Sequence, residues 1–240
     1  MSGRLILSGT GIGGPGRMTL ETHQCLQQAV RVFHLTHLHE HLSNTYPGEI
    51  VDLSPIYHGA ASKPAAYQTI TETLIMAVKE ALPETLIVFL TYGHPLFLVD
   101  SSQDMLAQIQ AEVLPALSSF DTLLIDSPVH LGDGAQLFET TKFVALNQCP
   151  DAYEPLVLFQ FGDYATWDND GAPHQSRLDL LRRQLLRHFP SDHPLYVVVS
   201  AWHDDVSVRV ETLPLLALAS RPDVVIPGAT LLLPPAKRFT

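Results

Sequence analysis

The chain has 240 residues, 46% of them hydrophobic, and a formal net charge of −11. That apolar content can build the core of one large or two small domains, and the acidic balance argues against a polyanion surface, since nucleic-acid binding uses Lys and Arg to displace phosphate counterions. No apolar run approaches the ~20 residues that cross a bilayer, and the opening "MSGRLILSGTG" lacks a signal peptide's apolar stretch and cleavage site; neither nucleic acid nor membrane is an expected partner, and the cytoplasm is the expected location.

In chain order, "RLILSGT" reads as a first strand, "TLETHQCLQQAV" as a helix capped by Thr19, and "VRVFHL" as a second strand. "PAAYQTITETLIMAVKEAL" reads as a helix with Pro64 in its first turn and Tyr67, Ile70, Leu74 and Val78 recurring on one face. "TLIVFLTY" is a buried strand and "SQDMLAQIQAEV" a further helix. This alternation predicts parallel α/β layering in the first half. Later, "PLVLFQFGDY", "LYVVVSAW", "VSVRVETL" and "ATLLLPP" read as strands, with the amphipathic "SRLDLLRRQLLRHF" between the first two. Strands now follow one another with fewer helices, so the reading divides the chain into an N-terminal α/β domain, 1–113, and a C-terminal α/β domain, 114–240. "WDNDGAPHQS" reads as an exposed loop.

Four stretches carry residues able to do chemistry. In "SGTGIGGPG", Gly9, Gly11 and Gly14 satisfy G-x-G-x-x-G after a strand, yet Pro15 and Gly16 delay the helix and the second strand ends in histidines rather than an acid, so a tight turn lining some other cavity competes with a pyrophosphate site. "HLTHLHEHL" places His34, His37, His39 and His41 near Glu40; a helix would bring His37 and His41 to one face and a strand would align His37, His39 and His41. This local spacing does not compel a metal, and none is expected. In "YHGAASKPAAY", Tyr57 precedes a glycine- and alanine-rich loop, and Lys63 stands one helical turn before Tyr67, where its ammonium can favour a phenolate. "TYGHPLF" ends a strand with a phenol, a glycine that permits close ligand approach, and a chain-fixing proline. Cys25 and Cys149 lie far apart without a CxxC and are expected to be buried small hydrophobes.

With "GTGIGGPGRMTLE", "VDLSPIYHGAASKPAAYQTI", "VFLTYGHPLF", "LFQFGDY" and the closing "ETLPLLALASRPDVVIPGATLLLPPAK", the chain resembles the tetrapyrrole methylase superfamily nearly end to end. Tyr-Gly-His-Pro looks like its borosin branch, the peptide backbone α-N-methyltransferases, and particularly the split type whose precursor peptide is a separate chain. The resemblance implies a two-domain tetrapyrrole methylase-like α/β fold with S-adenosylmethionine in the interdomain cleft. Carried over by position, it assigns cofactor contacts to Tyr92, Gly93, His94, Phe97, Ser118, Ser119, Gln160, Phe161, Gly162, Ala229 and Thr230. The catalytic set maps onto Lys63, Tyr67 and Tyr92, with Tyr57 supporting; Lys63 stands where the family has arginine. A homodimer is implied as well. The chain closes on "PPAKRFT", so the expected acceptor is a separate precursor peptide, with a tetrapyrrole or other small metabolite as the alternative and a non-catalytic cofactor-binding homologue as the third reading.

Overall fold

The computed structural model describes residues 3–165, 174–203 and 206–237. Strand β1 (Arg4–Gly9) is buried at every position after Arg4, as a parallel strand covered on both faces must be. Helix α1 (Leu20–Gln28) starts where the Thr22 N–H donates to the Thr19 hydroxyl at 3.1 Å, the expected cap. Strand β2 (Arg31–Leu35) is followed by three short elements, α2 (His39–Thr45), β3 (Glu49–Asp52) and α3 (Ser54–Gly59). In α4 (Lys63–Glu80), Ser62 caps the first turn through the Ala65 N–H at 3.3 Å. Ile70, Leu74 and Val78 along it are 0–1% exposed, each such burial being worth about 1.5–3 kcal/mol.

Strand β4 (Leu86–Thr91) leads to α5 (Asp100–Gln108) and β5 (Ala111–Val113). The helix read as reaching Val113 therefore stops at Gln108. Its last three residues pair with β1, Leu5 opposite Ala111 through Leu7 opposite Val113, and the free sheet edge outweighs local helical pattern.

The five strands are parallel and ordered β3-β2-β4-β1-β5. Leu5, Leu7, Phe33, Ile87 and Phe89 meet Ile70, Leu74 and Met105 of α4 and α5, while Ile6, Val32, Val88 and Leu90 meet Leu26 and Leu42 of α1 and α2. Thus β2 passes through α2, on one face, to the edge at β3. Strand β4 passes through α5, on the other face, to the opposite edge at β5. The connections diverge between neighbouring β2 and β4, and such a divergence opens a crevice beyond the strands' carboxyl ends.

Residues 1–122 with 202–204 form one compact unit; 123–201 with 205–240 form the second. Val113, where the sequence reading places the change of domain, is the last residue of β5, and the first unit continues into α6 (Ser119–Asp126). The second unit contains β6 (Gln136–Glu139), α7 (Thr140–Ala145), β7 (Leu156–Phe159), α8 (Phe161–Ala165), α9 (Gln175–Leu185), β8 (Pro194–Val199), β9 (Arg209–Pro214) and β10 (Thr230–Leu233). Its sheet runs β6-β7-β10-β8-β9, parallel at β6 and β7 and antiparallel elsewhere, around a core including Phe143, Leu158, Phe161, Leu181 and Leu231. Strand β8 ends at Val199, short of the expected Trp202, and β9 begins only at Arg209. Of "WDNDGAPHQS", residues 167–173 lie outside the described residues and Gln175 and Ser176 open α9. Cys25 is buried as expected, but Cys149 is exposed, because it lies past the end of α7 in a turn where Asn147 has φ +47. No helix among the described residues is long and apolar enough to cross a membrane.

Candidate active site

The loop after β1 and the loop after β4 meet backbone to backbone. The Gly93 N–H donates to the Gly11 carbonyl at 3.0 Å, with Gly11 at φ +71 and Gly93 at φ +81. A Cβ on Gly9 would lie 1.7 Å from the Gly93 carbonyl oxygen. The glycines of "GTGIGG" thus serve close approach to "YGHP". A buried hydroxyl chain braces the first loop: Ser8 and Thr22, and Thr22 and Thr19, are each 2.8 Å apart, and Thr91 donates to the Ser8 carbonyl at 3.3 Å. Only a single 3-10 turn, Pro15–Arg17, follows Gly14, and α1 begins at Leu20, so no α-helix N-terminus for a pyrophosphate stands at the third glycine.

The crevice between β2 and β4 holds a cavity of about 480 Å³, lined by Leu35, Thr36 and His37 after β2, Ser54, Tyr57 and His58 of α3, Tyr67 of α4, and Thr91, Tyr92 and Val99 around the exit of β4. Three of the four catalytic residues named from the sequence are therefore on one wall set. The Tyr57 and Tyr67 rings stand 5.7 Å apart at 54°. The fourth, Lys63, is the first residue of α4; its side chain lies outside the described residues.

Burial pushes the Tyr92 phenol up to about 12, against a hydrogen bond from the Gly13 N–H that favours its charged form. Its hydroxyl donates to the Trp202 carbonyl at 3.2 Å. At neutral pH Tyr92 is accordingly a neutral phenol with its proton committed, which suits it poorly to act as a base.

Sequence reasoning missed Trp202 and His203, and singled out His37 only as one of a run of histidines. The His37 ring lies 5.4 Å from Tyr92, 5.6 Å from Trp202 and 5.6 Å from His203. The sequence reading places Trp202 at the end of a strand, whereas β8 ends at Val199 and Trp202 belongs to the first compact unit. The histidine run divides by environment. His34, on β2, is fully buried with its Nε2 3.0 Å from the His39 Nδ1. Its pKa is lowered chiefly by burial and further by His39, with Asp52 and a main-chain hydrogen bond at Thr36 opposing. His41 stacks edge-on to Tyr46 at 6.4 Å. No group of three His, Cys, Asp or Glu among the described residues is arranged to hold a metal ion.

The remaining residues assigned to the cofactor lie after β4, at the start of α6, after β7 and at the start of β10. The His94 Nδ1 accepts from the Leu96 N–H at 3.1 Å, and the Phe97 N–H donates to the His94 carbonyl at 3.1 Å. Ser118 caps α6 reciprocally with Asp121, whose carboxylate accepts the Ser118 N–H at 2.6 Å while the Ser118 Oγ accepts the Phe120 N–H at 3.2 Å. Ser119 follows as the first residue of α6. In the second unit Gln160 has φ +55, and the Phe161 ring is wholly within the core, which leaves its main chain for any ligand. A Cβ on Gly162 would lie 2.1 Å from the Ile226 carbonyl oxygen; Ala229 and Thr230, at the start of β10, are buried.

A two-unit α/β protein with a parallel first sheet, a mixed second sheet and its chemistry-bearing loops at strand ends is thereby defined. The chain belongs to the tetrapyrrole (corrin/porphyrin) methylase family, whose pattern matches residues 4–216. It is 28% identical over 215 residues to a methyltransferase/ribosomally synthesized cyclic peptide lentinulin A precursor from Lentinula edodes, covering 85% of this chain and 51% of that protein. It is 27% identical over 215 residues, with the same coverages, to the corresponding omphalotin A precursor from Omphalotus olearius. The chain thus spans about half the length of the curated relatives it matches. Among solved structures it superposes on a uroporphyrin-III C-methyltransferase from Thermus thermophilus with a TM-score of 0.68 at 23% identity, covering 98% of this chain and 93% of that one. A Thermus thermophilus uroporphyrin-III C-methyltransferase complexed with S-adenyl homocysteine gives a TM-score of 0.63 at 19% identity, covering 96% and 92%. S-adenosylmethionine, whose demethylated product that structure holds, carries no pyrophosphate, and the glycine loop here presents no α-helix N-terminus to cradle one.

Proposed function

We propose that this protein is an S-adenosylmethionine-dependent methyltransferase acting on backbone amides of a separate peptide chain. The observation that carries the reading is the convergence of Tyr57, Tyr67 and Tyr92 on one cavity of about 480 Å³ at the β2/β4 crevice. The peptide-precursor names of the relatives support the acceptor class.

An amide nitrogen is a poor nucleophile because its lone pair is delocalised into the carbonyl. The site must therefore remove the N–H proton or stabilise the imidate oxygen while holding nitrogen in line. When bound, S-adenosylmethionine supplies a methyl group already activated on a sulfonium. Tyr67, favoured toward phenolate by Lys63 one turn before it, takes the proton; Tyr57 fixes the Tyr67 ring; Tyr92 walls the cavity and orients the amide. In this proposal the donor is contacted from the first unit by Tyr92, Gly93, His94, Phe97, Ser118 and Ser119. The working form in this proposal is a homodimer, the commonest closed assembly.

Intact-mass measurement of a precursor peptide encoded beside the gene, after incubation with enzyme and S-adenosylmethionine, tests the reading. Added methyl masses on the peptide are expected. An unchanged peptide together with methylation of a tetrapyrrole or other small metabolite would transfer the assignment to that acceptor.

A further inference from the structure

We propose that His37 is the proton exit of this site: the proton taken by Tyr67 from the acceptor nitrogen passes to the His37 imidazole and then to solvent. The proposal rests on the methyl-transfer reading above. Each transfer forms one N–C bond, breaks one S–C bond whose electron pair stays on sulfur, and releases one proton from the acceptor nitrogen. That proton must leave before Tyr67 can act again.

His37 is placed for this. It is exposed as a residue, yet it lines the same cavity as Tyr67. An imidazole can accept on one ring nitrogen while the other donates, which suits it to carry a proton between two environments. Tyr92 cannot serve, since its hydroxyl is committed to the Trp202 carbonyl and its phenol holds its proton up to about 12. Among the described residues, the titratable groups facing His37 include Tyr92 from the loop after β4 and His203 from the segment after β8. The same cavity is lined by Tyr57 and His58 of α3 and Tyr67 of α4. Asp52, at the end of β3, accepts the Ser54 N–H at 2.8 Å.

The test uses the full chain with His37→Ala and His37→Asn. Methylation under multiple turnover in dilute buffer should fall about tenfold or more, S-adenosylhomocysteine affinity by calorimetry should hold, and added imidazole should restore the rate in a saturable way. A packing role would not be repaired by free imidazole. Parental rates in both variants, or a loss in folded protein that imidazole leaves untouched, overturn the proposal. A second readout is independent of turnover: Tyr67→Phe should shift the NMR titration midpoint of the His37 ring, because the two groups share the cavity. An unmoved midpoint overturns the relay even if no peptide is ever methylated. A shifted midpoint in a protein that methylates no peptide leaves the pair standing and removes the peptide acceptor.

Discussion

Replacing Gly9 by alanine tests the geometry on which the site depends. The new Cβ would sit 1.7 Å from the Gly93 carbonyl oxygen and 2.8 Å from its carbon, where real Cβ contacts essentially never fall below 3.0 Å. Gly93 would have to retreat by more than an ångström. It is backbone, so no rotamer change relieves the clash, and the retreat breaks the 3.0 Å bond from the Gly93 N–H to the Gly11 carbonyl. Overpacking of this kind costs about 1–3 kcal/mol and the lost hydrogen bond about 0.5–1.5 kcal/mol. A loss of about 2–4 kcal/mol corresponds to roughly 4–16 °C in Tm for a chain of this size. Gly16→Ala is the matched control: nothing lies within 4 Å of its added Cβ, and it should stay within about 0.5 kcal/mol of the parent. Differential scanning calorimetry of both variants decides the matter. A Gly9→Ala protein that melts with the parent would refute the close approach of the two loops, and with it the account of why "GTGIGG" and "YGHP" occur together.

Much of the fold was legible because its strands are long apolar runs and its helices carry their own start signals. Thr19 caps α1 and Pro64 opens α4 by local physics that needs no tertiary partner. What stayed hidden depends on partners far along the chain. Residues 111 to 113 look like the tail of a helix until the free edge of β1 is offered to them. The histidine run supports two periodicities equally, and only the β2 register, which buries His34 against His39, separates His37 from its neighbours. The phenols at 57, 67 and 92 could be named from spacing and resemblance, whereas Trp202 could not. It reaches His37 and Tyr92 across more than a hundred residues, and no local pattern encodes a contact of that span. The fully buried Phe161 ring marks the converse case: a position can be read from a motif while the part of the residue left for a ligand is decided by the core.

Tyr92→Phe should cost about 0.5–1.5 kcal/mol in a denaturant titration through loss of the hydroxyl bond to Trp202. Its pH–rate profile should keep the parental shape through neutrality, because a phenol held up to about 12 does not titrate there; a lost limb near neutrality would contradict this. His34 has a lowered pKa when folded and about 6.5 as its ordinary value. Below that value the unfolded chain binds the extra proton, so this contribution to stability is present above it and is lost as pH falls toward the folded pKa. His34→Gln should flatten that acid dependence of the denaturant midpoint, and an unchanged slope would show that His34 does not drive it. The most demanding case is Tyr67 with Lys63. Tyr67→Phe should abolish nearly all methyl transfer in single turnovers at saturating cofactor while S-adenosylhomocysteine still binds, since the phenol acts on the acceptor. Lys63→Met should move the pH profile of the same step to higher pH, because removing a cation one turn away raises the pH at which the phenol loses its proton. Lys63→Arg should keep the profile in place if charge alone matters. Transfer at the parental rate by Tyr67→Phe would show that this phenol is not the base, and the cavity's proton chemistry would then have to begin at His37 itself.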